Sequence, residues 1–170
     1  IDTRTAKITL AQGGDCVLPQ LSAKTSHRAK RMLERMGVEV RLGGQVTNIT
    51  RDGVLAGDPF TPARHVFWAA GVQAPSITRT MGLELDRSGR VPVCADCSVA
   101  GHPTVFAIGD VASTCCARTG KPVPGVAQGA LQMGRHVGKI IAAEIAGGSQ
   151  PRPSFKYRDK GSLATLGRGI

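Results

Sequence analysis

Three features of the sequence predict an α/β fold. A strand-forming run, "AKITLA" (6–11), is followed by a helix-patterned stretch, "SAKTSHRAKRMLERMG" (22–37), and then by a second strand, "VEVRL" (38–42). Strand, helix, strand in that order is how two parallel strands are joined. The order recurs in part near the C-terminus, where the strand-like "TVFAI" (104–108) leads through a loop to an apolar-striped helix starting near Val126. The third feature is compositional: 22 Gly against four Phe, one Tyr and one Trp, so packing must rest on aliphatic side chains and tight turns. A length of 170 residues suits one ordinary domain or two small ones. With 41% hydrophobic and 20% charged residues, the chain is not of the disordered class.

Each element has a local justification. In the first helix Ser22 is placed to cap the N-terminus, Ala29, Met32, Leu33 and Met36 recur at helical spacing, and Gly37 supplies the stop. "QVTNITRDGVLAG" (45–57) reads as a hairpin turning at Asp52-Gly53. "ARHVFWAAG" (63–71) is expected to begin as a strand and to end in small residues. Beyond Gly71 come a proline break, a short helix-like piece and a turn over 87–90. The strand 104–108 is expected to be buried, with Gly109 and Asp110 at its mouth. Pro122 and Pro124 mark the following loop, and residues 126, 130, 133, 137, 140, 141 and 145 form the apolar stripe of a long helix (126–146) closed by Gly147-Gly148. The last twenty residues carry five Lys/Arg against one Asp and lean towards strand at their end. Two α/β pieces are therefore expected, divided at residue 71 into 1–71 and 72–170.

Lys and Arg exceed Asp and Glu by ten, and the pI is near 10.1. Such a surplus fits an anionic partner or an ordinary solvated surface. No zinc-finger or RNA-recognition pattern is present, and the aromatics are too few to stack single-stranded bases, so nucleic acid is not expected as a partner. No apolar run approaches the ~20 residues that span a bilayer. The N-terminal stretch, with Asp2, Arg4 and Lys7, does not have the form of a signal peptide. The chain lacks an initiating Met and opens close to a strand, which reads as a segment of a longer protein.

Five cysteines are present, Cys94 and Cys97 as C-x-x-C and Cys115 and Cys116 as neighbours. Adjacent cysteines seldom both bind one zinc ion, and the C-x-x-C lies in loop-like sequence rather than at a helix start. Reduced thiols in a cytosolic compartment are the expected state, with a metal site or a redox pair as the alternatives and no metal assigned.

The chemistry-bearing positions cluster around the long helix. Gln128, Gln132, Arg135 and Lys139 follow one another at steps of four, three and four, so they share a face opposite the apolar stripe. Neutral amides there donate and accept hydrogen bonds without imposing charge. Pro124 and Gly125 let the backbone approach a ligand, and the helix start offers free N–H groups and a positive half-charge. An acid at a strand end beside such a helix start suits a ligand with hydroxyls and an electron-accepting ring, which is the description of a flavin.

"VFAIGDVA" (105–112) resembles the second FAD fingerprint of flavoproteins with two dinucleotide-binding domains, and "HVFWAAGVQA" (65–74) resembles the segment that returns from the NAD domain to the FAD domain. "GKPVPGVAQGALQMGRHVGKII" (120–141) and "FKYRDKGSLATLGR" (155–168) are more particular. They resemble type II NADH dehydrogenases, the non-proton-pumping NADH:quinone oxidoreductases.

The resemblance implies the C-terminal portions of FAD/NAD(P)-binding, Rossmann-like, three-layer domains. It implies an enzyme that uses FAD, takes NAD(P)H as substrate and passes electrons to a quinone. Under it, Asp110 is the FAD-binding carboxylate, Gly109 lets the backbone pass the cofactor, and Gly125, Val126, Ala127 and Ala130 face the isoalloxazine ring. Gln128 and Gln132 match the glutamines that flank the quinone head group, and Lys160 matches a lysine near that pocket. Trp68, Ala69, Ala70 and Gly71 would lie beside the nicotinamide nucleotide. Gln12 stands where the family usually carries a ribose-binding Glu. An amide there removes the repulsion of a 2′-phosphate, so NADPH is expected to be less strongly excluded; rates with both nucleotides, alongside Gln12→Glu, would check it.

The opening G-x-G-x-x-G turn of either nucleotide fold is not found in the sequence, so both are expected to precede Ile1. The resemblance further implies peripheral association with the cytoplasmic face of a bacterial inner membrane, to which the basic surplus is suited. Uncovered sheet edges and helix faces lead to an expectation of homo-oligomer formation. Other members of the superfamily, such as sulfide:quinone or ferredoxin reductases, and a non-catalytic basic module binding anionic lipid or nucleic acid, are the rival readings.

Overall fold

The computed structural model describes residues 6–57 and 60–167, which divide into two compact units. One holds the described residues up to Ala69 together with 161–167; the other runs over 70–160.

In the first unit, β1 (Ile8–Gln12), α1 (Ala23–Arg35) and β2 (Val38–Leu42) form the expected strand–helix–strand succession. β1 and β2 pair in parallel, from Ile8 opposite Val38 to Gln12 opposite Leu42. The helix limits follow from local chemistry. The Thr25 N–H donates to Ser22 Oγ at 3.3 Å, satisfying one of the orphan donors of the first turn. At the other end Gly37 adopts φ +84° and its N–H donates to Glu34 O at 3.0 Å, a left-handed stop that glycine makes without steric cost. The buried Ser26 hydroxyl donates to Val17 O at 2.6 Å, fastening the preceding loop under the helix where Val17 and Ala29 are buried.

β3 (Val46–Ile49), β4 (Gly53–Ala56) and β5 (Thr61–Pro62) form an antiparallel sheet in that order. The hairpin closes through Thr50 N–H to Gly53 O at 2.8 Å, at the turn the sequence predicts. The strand expected over 63–71 is not formed. No strand among the described residues pairs with it, and its apolar side chains face water: Phe67 is 93% and Trp68 63% exposed. A strand is defined by its ladder, and without a partner the segment is merely extended.

In the second unit a short 3-10 turn (Ser76–Thr80) follows Pro75, and three two-residue strands, β6 (Val91–Pro92), β7 (Ser98–Val99) and β9 (Ala112–Ser113), accompany the five-residue β8 (His102–Phe106). β6 pairs with β9 in parallel and β7 with β8 antiparallel. The strand expected at 104–108 thus begins earlier and ends at Phe106, and it is exposed up to its half-buried last residue rather than buried. Its ladder partner is the two-residue β7, too small a sheet to enclose it.

α2 (Ala127–Ile145) ends as expected, with Gly147 at φ +78° and its N–H on Glu144 O at 3.0 Å. Only the middle of its apolar stripe is buried, at Met133, Val137 and Ile140; Ile145 is 82% exposed. Met133 and Val137 join Cys97, Ala112, Cys116, Phe155 and Tyr157 in the core of this unit.

The segment after α2 supplies two of those core side chains without forming the expected strand; residues 168–170 of that expectation lie outside the described residues. It is fastened at one end by Arg152, which donates to Asp96 Oδ2 (3.1 Å), Glu144 Oε1 (2.6 Å) and Pro103 O (2.6 Å) while lying 4.9 Å from the centroid of the Phe106 ring. Further on, Phe155 N–H donates to Ala95 O (2.7 Å) and Phe155 O accepts from Ala117 N–H (3.0 Å).

Candidate functional site

Around Asp110 the chain makes a cleft from glycines and a helix start. A 3-10 turn over Gly109–Val111 follows β8, and Gly109 sits at φ +70°. A Cβ at Gly109 would lie 3.2 Å from Ala130 Cβ, so the turn and the first coil of α2 meet at a separation suited to glycine. A Cβ at Gly125 would lie 3.7 Å from Asp110 Oδ1, which places the carboxylate directly beside the segment leading into α2. Gly129 is tighter still, since its Cβ would stand 2.9 Å from Pro124 O. The cleft is lined by Gly109, Asp110, Pro124, Gly125, Ala130 and Arg90.

The electrostatics of the cleft are open on one side. Asp110 is exposed and enters no ion pair or hydrogen bond among the described residues. The N-cap of α2 is Val126, which offers no side-chain acceptor, and the first turn contains no acid. The helix itself therefore supplies no acid or side-chain cap at its positive end, and the Asp110 carboxylate lies beside it. A carboxylate able to accept from hydroxyls and a helix terminus whose N–H groups can receive negative charge lie within one cleft, an arrangement that fits a flavin dinucleotide.

Arg90 is a cleft residue that sequence reasoning missed. Its Nε and Nη2 each lie 2.8 Å from Asp86 Oδ2, while its N–H donates to Asp86 Oδ1 at 3.0 Å. Burial pushes the Asp86 carboxyl up, but the N–H groups of Arg90 and Ser88 and the Arg90 guanidinium outweigh it and hold it low. The signal in the sequence was the "DRSGR" turn, which brings an acid and an arginine four residues apart onto one another.

The two glutamines on α2 are brought together with the segment that carries Lys160. Gln132 Nε2 donates to Arg158 O and Gln132 Oε1 accepts from Arg158 N–H, both at 2.9 Å. Gln128 Oε1 accepts from Lys160 N–H at 3.2 Å. Arg135 and Lys139, on the same helix face, are exposed.

Between these bonds and the core, Cys116 Sγ accepts from Tyr157 N–H at 3.2 Å. Burial pushes the Cys116 thiol up, but the Thr119 hydroxyl and the N–H groups of Arg118, Thr119 and Tyr157 overcome that and bring it to about 7. Cys97 shows the opposite balance, raised to about 11 by burial and then by Asp96. Cys94 and Cys115 are exposed, all five cysteines are free, and no cluster of metal-binding side chains occurs among the described residues.

Gly109, Asp110, Gly125, Val126, Ala127, Gln128, Ala130, Gln132 and Lys160 all belong to the second unit, as do Ala70 and Gly71 at its beginning. Gln12, Trp68 and Ala69 belong to the first. Gln12 is half-buried at the end of β1, and Ala69, Ala70 and Gly71 are exposed.

This chain belongs to the pyridine nucleotide-disulphide oxidoreductase family, whose sequence profile matches residues 3–134. Within that family it is similar to the type II NADH:quinone oxidoreductase Ndh of Mycobacterium tuberculosis, at 40% identity over 178 aligned positions covering 99% of this chain and 37% of that protein. Its fold is similar to part of NDH2 from Plasmodium falciparum, solved in complex with NADH, with a TM-score of 0.80 over 95% of this chain and 48% of that one at 15% identity. A FAD-dependent pyridine nucleotide-disulphide oxidoreductase from Desulfovibrio vulgaris matches 87% of this chain and 37% of its own at 27% identity and a TM-score of 0.66. The chain thus spans 37% of the length of the Mycobacterium relative.

Proposed function

We propose that this chain is the C-terminal part of a flavin-dependent NAD(P)H:quinone oxidoreductase. Residues 1–71 are read as the closing part of its nicotinamide nucleotide domain and 72–170 as the closing part of its FAD domain. The observation that carries the reading is the Asp110 cleft: an unpaired carboxylate beside Gly125, at the uncapped start of α2, in a chain of this family.

Asp110 accepts hydrogen bonds from the hydroxyls of the cofactor. Gly109, Gly125, Val126, Ala127 and Ala130 keep the backbone close and the cleft free of side-chain bulk. The α2 terminus holds negative charge as it develops, without reorganisation of water. Bound there, FAD supplies the two-electron carrier between the nicotinamide of NAD(P)H and a quinone. Gln128, Gln132 and Lys160 belong to the acceptor side, and Gln12 and the 68–71 segment to the nucleotide side. The protein contributes positioning and charge stabilisation, and no side chain acts as a nucleophile.

No helix among the described residues is long and apolar enough to cross a membrane. The quinone is a membrane substrate, so peripheral docking of the full-length protein on the cytoplasmic face of the inner membrane, aided by the basic surplus of this part, completes the proposal, together with self-association as a homo-oligomer.

Flavin retention tests the reading. In the full-length protein, Asp110→Ala is expected to weaken FAD binding about 10- to 100-fold, the worth of hydrogen bonds to a charged group. The flavin absorbance that survives gel filtration measures it. Undiminished flavin in the variant would overturn the assignment of Asp110.

A further inference from the structure

The segment 155–160 has no strand beside it, yet its main-chain groups are met in succession. Phe155 uses the backbone of Ala95 and Ala117. After that, side chains take over. Cys116 Sγ accepts from Tyr157 N–H (3.2 Å), and Arg118 Nη2 donates to Tyr157 O (3.3 Å). The Gln132 amide both donates to and accepts from the peptide groups of Arg158, and Gln128 accepts from Lys160 N–H.

A glutamine amide has the same donor and acceptor as a peptide group, so Gln132 stands in for one rung of a missing strand. Both of its heteroatoms are engaged at 2.9 Å across 26 residues of sequence, by main-chain atoms that any residue except proline at 158 would supply. Gln128, one helical turn earlier, holds the next N–H but one along the strap.

From this geometry we infer that Gln132 is a positioning residue. It fixes the backbone at Arg158 against α2, as Gln128 does at Lys160, and so helps to set where Lys160 stands; it does not act by hydrogen-bonding the quinone itself. The inference rests on the acceptor-site reading above for its consequence in turnover; the clamp is a property of this chain alone.

The two substitutions that separate positioning from direct contact are Gln132→Ala and Gln132→Glu. Alanine removes both bonds to Arg158. A carboxylate still accepts the Arg158 N–H but has no proton to donate to a quinone oxygen. Amide hydrogen exchange of the peptide that carries Arg158, read in the full-length protein by mass spectrometry, is expected to quicken about tenfold in Gln132→Ala and much less in Gln132→Glu.

In the full-length enzyme, the quinone KM is expected to rise about tenfold in Gln132→Ala and to be largely restored in Gln132→Glu. Unchanged Arg158 exchange in Gln132→Ala overturns the clamp. A Gln132→Glu enzyme with Arg158 protection retained and a quinone KM as poor as that of alanine overturns positioning in favour of direct contact. If Arg158 protection falls in Gln132→Ala while quinone KM is unmoved there and in Lys160→Ala, the clamp stands and the acceptor-site reading fails instead.

Discussion

Phe155 is the position where the structure makes its sharpest energetic claim. It lies beyond α2 in sequence without regular secondary structure, and yet it is 3% exposed, set edge-on against His136 with ring centroids 5.4 Å apart. An aromatic side chain removes ~150–250 Å² from water, and at ~25 cal/mol per Å² that is a gross ~4–6 kcal/mol. Truncation of such a residue costs ~3–5 kcal/mol once partial collapse of the cavity is allowed for. Phe155→Ala leaves both main-chain bonds of residue 155 intact, so the loss reports the side chain. Phe67→Ala serves as the contrast, since Phe67 is 93% exposed.

Urea unfolding of this chain, followed by circular dichroism, is expected to show the second unit destabilised by ~3–5 kcal/mol in Phe155→Ala, and thermal unfolding a fall in Tm of about 12 °C or more. Phe67→Ala should change stability by no more than ~0.5 kcal/mol. A Phe155→Ala variant losing under ~1 kcal/mol, or no more than Phe67→Ala, would refute the claim that this segment is part of the core.

α2 offers a paired test with opposite signs. Nothing lies within 4 Å of a Cβ at Gly138, so Gly138→Ala should stabilise by ~0.5–1 kcal/mol through helix propensity. Gly129→Ala should destabilise despite the same propensity, because its Cβ would stand 2.9 Å from Pro124 O; thermal unfolding that shows both variants moving together would contradict the packing. Cys116, with its thiol lowered to about 7, should favour the folded state more as pH rises. The unfolding free energy of the wild type relative to Cys116→Ala should climb as pH passes up through about 7, level off above the ordinary thiol range, and lose that increment as pH falls back through about 7. A flat difference across that range would remove the hydrogen-bonded thiolate from the account.

What the sequence disclosed and what it hid divide along the range of the interactions. Ser22 and Gly37 bound α1, Asp52-Gly53 turn the hairpin, and Gly147 ends α2, because caps and turns are settled within a few residues. The strand at 63–71 failed because strand formation needs a ladder partner, which local propensity does not encode. The 104–108 strand kept its place near Asp110 but not its burial, which depends on the sheet around it.

In the cleft, Asp110, Gly109 and Gly125 were legible from spacing and small-residue content. Arg90 was not, since its approach depends on where the Asp86 turn folds back. Gln128 and Gln132 were legible as one helix face, while the main-chain groups they hold, 32 and 26 residues away respectively, were not. Neither helical periodicity nor local motif reports a side chain that replaces a backbone rung.

That replacement has a consequence for how this surface can change over time. Cys116, Gln132 and Gln128 hold main-chain atoms of Tyr157, Arg158 and Lys160, and those bonds do not depend on which side chains the strap displays. Residue 158 is exposed and can be rewritten, proline excepted, with these bonds kept, whereas the constraint falls on the residues that do the holding. A new side chain can thus be displayed at 158 on an unchanged frame, and selection for a different surface there would be written into the strap while α2 stayed as it is.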